Sequence, residues 1–598
     1  MQPILTINLT TKKIEHYTVP TDWQRDYLGG SSLAAIMLYD HLTPFLDPLS
    51  PEAPLLFLTG PLTGTMGPAV GRFVICGRSP ATGLWAESNC GGFWGPELRK
   101  AGFDGLWLTG RADQPVYLWL QDGQVEVRDA AHLWGLETAQ TQETILNELE
   151  TVRKPRVAVI GPAGESQIPY ALILTDHGRV AGRTGLGAVM GSKNLKAIAV
   201  SGNNQIPVTS SYEPLRAAAN RTLRDDNMSR VMRELGSASG SDYFDYLGEM
   251  PKKYFQSGVF DGADKMTGAA MAETILVGVS ACHACVIACG RVVKLDDEDK
   301  RKGPEYETIV GFGPNLLIDD LPFVARMGEL CDRYGMDVIS LSNTLGLAFS
   351  LFEGGIIQEI DTGGLSLNWG DTCVVETLVH QTIRQEGLGV LISQGARALA
   401  LHFGALEQAV QVNGLEVPFH DPRAASGMAL IYATSPRGAC HNQSDYFFVD
   451  LLGQVEESLG MVTFDRHAGA EKVANVVVHQ NWRTVFNALV ICFFANLSPD
   501  SLVDLVNAST GASYSLSDLL QIGERAWNLK RTINQRLGLT SAEDTLPQAL
   551  LEPCPDGGSA GYRIPLNEML SEYYDIRGWD AETGMPTPEK MHALRIDP

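Results

Sequence analysis

Three cysteines with short, unequal spacing carry the clearest chemistry in this sequence. Cys282, Cys285 and Cys289 are separated by two and then by three residues. Three thiolates so close along the chain can ligate three corners of an iron–sulfur cube, which leaves the fourth iron for a distant cysteine. The trio therefore predicts a metal centre whose remaining ligand comes from another part of the chain.

Structural zinc is the main alternative for this trio. Zinc sites usually combine two closely spaced pairs of cysteine or histidine ligands. The remaining cysteines all stand alone in the sequence: Cys76, Cys90, Cys331, Cys373, Cys440, Cys492 and Cys554. The spacing thus favours an iron–sulfur cluster over zinc, and either metal over three purely structural thiols.

Glycine-rich loops with arginines lie where the predicted N-terminal strands end. Arg72 follows Gly71, and Arg179 and Arg183 flank Gly182. Glycine backbones approach a ligand closely, and a guanidinium binds phosphate with two hydrogen bonds. No GxGxxG or Walker pattern is present, so a nucleotide-binding fold is not predicted. Together the loops indicate a flat phosphorylated ligand, although a solvated side chain would explain each arginine alone.

A second motif places two acids across a glycine at a predicted helix end. Asp332 and Asp337 are five positions apart, with Gly335 and Met336 between them. Such acids can accept hydrogen bonds from the amino and amide groups of a heterocycle, or can simply cap the turn. Taken alone, the motif favours capping.

Composition limits the class of protein and its partners. The chain has 598 residues, of which 44% are hydrophobic and 19% charged, and it has a net charge of −24. The charge argues against nucleic acid or an anionic membrane as partner, because both require a basic face. No apolar run long enough to span a membrane is present. The first residues lack a signal peptide and the cysteines suit a reducing compartment, so a cytoplasmic location is expected.

The pattern of short strands changes to helical periodicity after about residue 206. A chain of this length should divide into about three to four domains. We predict an α+β protein with a β-rich domain over 1–206, followed by two mainly α-helical domains over 207–413 and 414–598. The cysteine trio and the Asp332 motif fall in the first helical domain.

Several longer stretches resemble the tungsten-containing aldehyde:ferredoxin oxidoreductase family. The resemblance covers nearly the whole chain and is most specific over 88–98, 182–193 and 433–439. In that family a β domain supports two pyranopterin-dithiolene molecules that share one tungsten, and two helical domains cover them. The resemblance implies a tungsten bis-pyranopterin, a [4Fe-4S] cluster and Mg²⁺ bridging the pterin phosphates.

The resemblance also implies roles for individual residues. Cys492 matches the fourth cluster ligand beside the cysteine trio, and Glu307 and His441 match the acid and imidazole beside the metal. Matches to cofactor contacts are Arg72, Asn89, Gly91, Arg179, Val180, Gly182, Arg183, Asp332, Gly335, Met336, Asp337, Asn487 and Ile491. One departure is visible. The family's second pterin motif has the form DxxGxC, whereas this chain has Asn487 in place of the acid and Val490 in place of the glycine.

The expected activity is oxidation of an aldehyde to a carboxylate, with electrons passing to ferredoxin or a partner iron–sulfur subunit. An oligomer is expected as well. A relative of the tungsten-dependent benzoyl-CoA reductase catalytic subunit is the alternative among enzymes. A scaffold or electron-transfer subunit that has lost the metallopterin is the alternative outside catalysis, and the altered motif at Asn487 would suit it.

Overall fold

Two six-stranded sheets form the N-terminal part of the chain. The computed structural model describes residues 1–149, 151, 153–176, 178–296 and 299–596. The first sheet has the order β2-β1-β6-β3-β4-β5. Its strands are β1 (Ile4–Asn8), β2 (Lys13–Tyr17), β3 (Leu55–Leu58), β4 (Phe73–Arg78), β5 (Trp85–Cys90) and β6 (Gly105–Thr109). Strands β1 and β2 form an antiparallel hairpin, in which Ile4 pairs with Tyr17.

The second sheet has the order β11-β10-β9-β12-β7-β8. Its strands are β7 (Val116–Gln121), β8 (Gln124–Asp129), β9 (Arg156–Val159), β10 (Ile173–Thr175), β11 (Arg179–Ala181) and β12 (Leu195–Ser201). The helices of this region are α1 (Thr21–Tyr27), α2 (Gly30–Leu38), α3 (Trp94–Lys100), α4 (Thr138–Glu148), α5 (Pro162–Glu165) and α6 (Leu186–Ser192). Strands β5 and β11, which carry Asn89 and Arg179, lie at edges of their sheets.

Helices dominate from residue 212 onward. They are α7 (Tyr212–Asp225), α8 (Asn227–Leu235), α9 (Ser241–Leu247), α10 (Gly268–Thr274), α11 (Tyr306–Phe312), α12 (Leu321–Tyr334), α13 (Val338–Glu353), α14 (Thr372–Arg384), α15 (Gly389–Ile392), α16 (Ala396–His402), α17 (Gly427–Thr434), α18 (Phe447–Leu452), α19 (Val473–Leu489), α20 (Pro499–Thr510), α21 (Leu516–Arg536), α22 (Gln548–Leu551), α23 (Leu566–Arg577) and α24 (Pro588–Ala593). The predicted α+β fold, with a β-rich part before a helical part, is confirmed.

Short strands interrupt the helical part at two places. Strands β13 (Leu276–Ser280), β14 (Gly290–Val293) and β15 (Arg301–Lys302) form a three-stranded sheet, and β16 (Gln411–Val412) pairs with β17 (Leu415–Glu416). One buried apolar cluster includes residues on either side of the predicted boundary at 413, for example Ile309 and Val485. The domain limits at 206 and 413 stay a prediction.

Helix α19 brings the C-terminal part of the chain against the first sheet. Nearly all of its residues are buried, and its last turn contacts the start of α2. The approach is so close that a Cβ on Gly30, where φ is +51°, would lie 2.0 Å from the Asn487 carbonyl oxygen. Only glycine fits there, because the site requires both a left-handed backbone and the absence of a side chain. Among the described residues no helix combines the length and apolarity needed to cross a membrane.

Candidate active site

The four cysteines matched to a cluster converge on one cavity. The loop between β13 and β14 carries Cys282, Cys285 and Cys289, and Cys492 follows the end of α19. All four line a cavity of about 190 Å³. The backbone at Gly91 packs closely against this cavity, since a Cβ on Gly91 would lie 2.9 Å from Cys282 Sγ. The structure thus brings together ligands that the sequence separates by more than two hundred residues.

Two of these thiols, Cys285 and Cys289, lie in surroundings that favour the protonated form. Burial, helped by the charge of Cys492, raises the pKa of Cys285 to about 11. Burial also raises the pKa of Cys289. A metal binds the thiolate form of cysteine, so metal binding must release the protons of these thiols. The positive charge of the metal then stabilises the thiolates.

Arg72 connects the cysteine cavity to a second, larger cavity. Its Nη1 donates to Cys492 Sγ at 3.6 Å, and its Nη2 donates to the Asn89 carbonyl oxygen at 3.2 Å. Its Nε donates to the side-chain oxygen of Asn89. Arg72 and Cys492 line both cavities. One guanidinium therefore bridges the two compartments.

The larger cavity has a volume of about 320 Å³ and collects most of the predicted cofactor contacts. Of the predicted residues, the following line it: Arg72, Asn89, Val180, Gly182, Arg183, Glu307, Asp332, Asp337, His441, Asn487, Ile491 and Cys492. Gly91 and Arg179 line the cysteine cavity instead. Gly335 and Met336 line neither of the two, because they form the buried turn between α12 and α13.

The Asp332 motif is engaged with the protein on both sides of its glycine. Lys302 Nζ donates to Asp332 at 2.8 Å. Asp337 caps α13 by accepting from the Ser340 amide at 3.1 Å, and Arg183 Nε donates to the same oxygen at 3.3 Å. Gly335 ends α12 at φ +80°. The capping role is thus real, and both acids nevertheless face the cavity.

Arg183 holds the N-terminal part of the chain to the C-terminal part. Its Nη1 donates to the Ala439 carbonyl at 2.8 Å and its Nη2 to the Glu416 carbonyl at 2.6 Å. The side chain is only 5% exposed. Arg183 therefore borders the cavity with its donors already committed to protein oxygens.

The departure at Asn487 and Val490 preserves the shape of the turn. Val490 follows α19 at φ +55°, the left-handed conformation that glycine adopts most easily at a helix end. Asn487 is 4% exposed, and its Nδ2 has no hydrogen-bond partner among the described residues. Val490 thus adopts the backbone conformation that glycine favours at a helix end, and the Asn487 side chain presents a donor instead of a charged acceptor.

Glu307 and His441 meet at the junction between this cavity and a third one. Glu307 lies in the first turn of α11, and its Oε2 accepts from the Phe419 amide at 3.0 Å. Its Oε1 lies 3.4 Å from His441 Nδ1, yet neither atom has a hydrogen-bond partner among the described residues. Burial raises the pKa of Glu307 and lowers that of His441. The carboxyl therefore favours its protonated form more than a free carboxyl does, and the imidazole favours its neutral form.

Two residues beside Glu307 were missed by sequence reasoning. His420 Nε2 lies 3.5 Å from Glu307 Oε1, and His420 Nδ1 contacts the carboxylate of Glu249. Glu249 is fully buried. Neither residue belongs to a recognisable motif, so only the folded structure identifies them.

A buried ion pair in the wall of the larger cavity was missed as well. Glu87 on β5 accepts from Trp85 Nε1 at 2.9 Å and from Gln443 Nε2 at 2.7 Å, and Lys530 of α21 pairs with it. Glu87 lines the cavity. An acid inside a strand carries no sequence signal for such a partner, because the lysine lies in a distant helix.

Several unpaired polar atoms indicate that the larger cavity binds a polar ligand. Glu307 Oε1, His441 Nδ1, Asn487 Nδ2 and Arg437 Nε all border it and all lack a partner among the described residues. Buried polar atoms are normally paired, so atoms left open around one cavity point to a ligand. A heterocyclic cofactor with several donors and acceptors fits this wall.

Comparison with known families agrees with this arrangement. A family model described as the aldehyde ferredoxin oxidoreductase N-terminal domain matches residues 4–202. A second, described as aldehyde ferredoxin oxidoreductase domains 2 and 3, matches residues 214–596. Together they span nearly the whole chain.

Individual relatives extend the comparison. The chain is 37% identical to a tungsten-containing aldehyde ferredoxin oxidoreductase of Pyrococcus furiosus, with 99% of this chain and 98% of the relative covered. It is 28% identical to an aliphatic sulfonate oxidoreductase WOR-like subunit of the same organism, over 99% and 96%. The solved BamBC active-site complex of benzoyl coenzyme A reductase with 1,5-dienoyl-CoA has a TM-score of 0.85 at 24% identity, over 100% and 97%, and shows the shared fold. The chain belongs to the tungsten-containing aldehyde ferredoxin oxidoreductase family and is an oxidoreductase.

Proposed function

We propose that this protein oxidises aldehydes to carboxylic acids at a tungsten bis-pyranopterin in the larger cavity. A [4Fe-4S] cluster held by Cys282, Cys285, Cys289 and Cys492 would pass the electrons to ferredoxin or a partner iron–sulfur subunit. Mg²⁺ bridging the pterin phosphates belongs to the same proposal. The roles of the cofactor-contact residues named from the sequence are part of it too.

The observation that carries the proposal is the position of Glu307 and His441. Both residues line the cavity of about 320 Å³ that is proposed to hold the cofactor, which we call the cofactor cavity. Both also line a third cavity of about 680 Å³. Each also has an unpaired polar atom there among the described residues. A proton-handling pair at the boundary between a cofactor compartment and a substrate compartment is what an oxidation with water requires.

The residues of the chain divide the work. When bound, tungsten would supply the oxygen transfer and accept the pair of electrons that leaves the aldehyde carbon. Glu307 Oε1 takes a proton, which the raised pKa of its buried carboxyl favours. His441, whose pKa burial lowers, is neutral and orients the aldehyde oxygen through a hydrogen bond.

The third cavity, which we call the substrate cavity, favours an apolar aldehyde. Aromatic and aliphatic side chains line it, among them Tyr243, Phe244, Phe447, Phe448, Leu452, Phe493 and Phe494. Its described lining residues include no lysine or arginine, whereas they include Asp226 and Glu305. A coenzyme A thioester carries phosphates that need cationic partners. This wall therefore supports an apolar aldehyde over the aromatic thioester of the solved fold neighbour.

Kinetics of two conservative variants test the proposal. Glu307→Gln and His441→Asn should retain tungsten, iron and the parent melting temperature, and should lose about 10²–10⁴-fold in aldehyde oxidation with a viologen dye. Phe448→Leu provides a matched control in the same cavity, because it changes shape without removing a proton carrier. Parent rates in both variants would remove these residues from the reaction. Oxidation of a dienoyl-CoA but of no aldehyde would favour the reductase alternative.

A further inference from the structure

We propose that His420 and Glu249 form a proton relay behind Glu307: Glu307 passes its proton to His420 Nε2, and Glu249 stabilises the imidazolium that forms. The inference rests on the proposed aldehyde oxidation and adds two residues to it. His420 lines the substrate cavity, and Glu249 acts through His420 as a positioning residue.

The three groups are arranged in series. Glu249 Oε1 contacts His420 Nδ1, and His420 Nε2 lies 3.5 Å from Glu307 Oε1. A hydrogen bond on one ring nitrogen selects the tautomer and so decides the role of the other nitrogen. With Nδ1–H donated to Glu249, Nε2 faces Glu307 as a proton acceptor. A carboxylate orients the imidazole base of hydrolases in the same way.

The ring of His420 is held in this orientation from both sides. Tyr306 stacks on it at a centroid distance of 4.6 Å and Phe447 at 4.2 Å, each with an interplanar angle of 18°. Tyr306 Oη also donates to Glu249 at 3.3 Å. A buried acid–imidazole pair between aromatic rings contributes little net stability compared with apolar residues of the same volume. A functional use of the pair is therefore the better explanation.

The two imidazoles beside Glu307 have opposite character. Although burial alone would lower the pKa of His420, the Glu249 carboxylate raises it above its usual value. Burial lowers the pKa of His441, helped by the charges of His420 and Arg183. Other titratable groups facing this set are Tyr306 and Tyr432 beside Glu307 and Asp421 beside Glu249. Of the two imidazoles, His420 is thus the one whose surroundings favour the protonated form.

The proton balance of the step is simple. Oxidation of an aldehyde with water to a carboxylate releases two electrons, which go to the redox centre, and three protons, one from the aldehyde C–H bond and two from water. Each proton leaves to solvent, and those that Glu307 takes leave by the relay. In the relay the O–H bond on Glu307 breaks and an N–H bond forms on His420 Nε2. The proton then leaves to water in the substrate cavity, which His420 also lines. Glu307 is ionised again for the next turnover.

Two variants change this relay without touching Glu307. Once His420 has accepted the relayed proton it is a cation beside the ionised Glu307, and it favours that ionised form. His420→Asn removes this cation, so the pKa of Glu307 should rise by about one unit or more. The acidic limb of the plot of kcat/KM against pH should shift to higher pH by the same amount. In Glu249→Gln the pKa of His420 falls, and the limb should move in the same direction by less. Tyr432→Phe is the matched control: its hydroxyl donates to the His420 carbonyl oxygen at 2.9 Å, and the limb should stay in place.

A second readout does not depend on catalysis. The infrared band of the protonated Glu307 carboxyl, identified by its loss in Glu307→Gln, should titrate at higher pH in both relay variants. Unchanged titration of the band and of the limb in both variants would overturn the relay. A shifted band in a protein that oxidises no aldehyde would support the relay and contradict the proposed activity instead.

Added bases distinguish proton transfer from space filling. Imidazole should restore turnover to His420→Ala, because it can enter between Tyr306 and Phe447 and accept the proton. Pyrrole has the same shape and no basic nitrogen, so it should restore nothing. Equal restoration by both compounds would show that the ring only fills space, and would contradict the relay.

Discussion

Arg72 Nη1 lies 3.6 Å from Cys492 Sγ, while the other nitrogens of the same guanidinium donate to Asn89. A single fixed cation thus touches a proposed cluster ligand and the edge strand that borders the cofactor cavity. Because arginine stays protonated at any working pH, its charge stabilises an electron that arrives on the cluster side. The two compartments therefore share one electrostatic element.

Removing the charge of Arg72 should make the cluster harder to reduce. Arg72→Gln loses a charged hydrogen bond worth about 1.5–3 kcal/mol, which corresponds to a fall of roughly 60–130 mV in midpoint potential. Arg72→Lys keeps the charge, so its midpoint potential should fall much less than that of Arg72→Gln. A potentiometric titration followed by electron paramagnetic resonance measures both. Equal potentials in the parent and in Arg72→Gln would contradict the role given to this residue.

Cys492 should be the remote ligand of the cluster. Cys492→Ala should lower the iron content and the visible absorbance, because three thiolates hold the cube less firmly than four. Cys554→Ala is the control: Cys554 is buried like a structural thiol, but it does not line the cysteine cavity. Full iron content with an unaltered spectrum in Cys492→Ala would remove it from the ligand set.

The buried pair of Glu87 with Lys530 should give the protein an acid-sensitive stability. Although burial alone would raise it, the lysine holds the pKa of Glu87 at about 2. A lowered folded-state pKa contributes stability above the unfolded value of about 4.3, and that stability is lost as pH falls toward 2.

Glu87→Gln should therefore lower the free energy of unfolding at pH 7 by about 3–5 kcal/mol, since it leaves a buried ammonium unpaired. The difference from the parent should shrink below pH 4. Adding Lys530→Met should recover much of the loss. Denaturant unfolding at both pH values tests this, and a loss of the same size at pH 3 would contradict the ion-pair account.

The pterin site should stay occupied when Asn487 is changed. Asn487→Ala removes one unpaired donor among several contacts, which costs about 1–3 kcal/mol and leaves the cofactor bound. Asn487→Asp should bind it at least as well, because the acid restores the family pattern. Mass spectrometry of the pterin released by denaturation measures how much cofactor each variant holds. Empty protein in both variants, from cells supplied with tungstate, would favour a single dominant contact at this residue.

The elements that could be predicted from the sequence are those whose signals are local. The apolar periodicity of Pro322–Tyr334 and Val338–Gly354 predicts α12 and α13 nearly to the residue, helped by the Asp337 cap between them. Strand β5 cannot be predicted in this way, because Glu87, Ser88 and Asn89 interrupt its apolar pattern. These polar residues lie inside because they face the cofactor cavity, which no local pattern reveals.

The site itself was only partly predictable. The cysteine trio and the Asp332 motif are contiguous, so spacing identifies them. Cys492, Glu307 and His441 came only from resemblance to a family, since each is unremarkable in its own segment. The pair of His420 and Glu249 was out of reach, because the contact joins residues 171 positions apart.

Metal content measured together with turnover tests the central claim most directly. Protein produced with tungstate should contain about one tungsten, two pterins and four irons per chain, as one bis-pyranopterin and one [4Fe-4S] cluster require. The same preparation should reduce a viologen dye with an apolar aromatic aldehyde and form the matching carboxylate. Iron without tungsten or pterin, together with no aldehyde-dependent reduction of the dye, would contradict the account and leave an electron-transfer subunit.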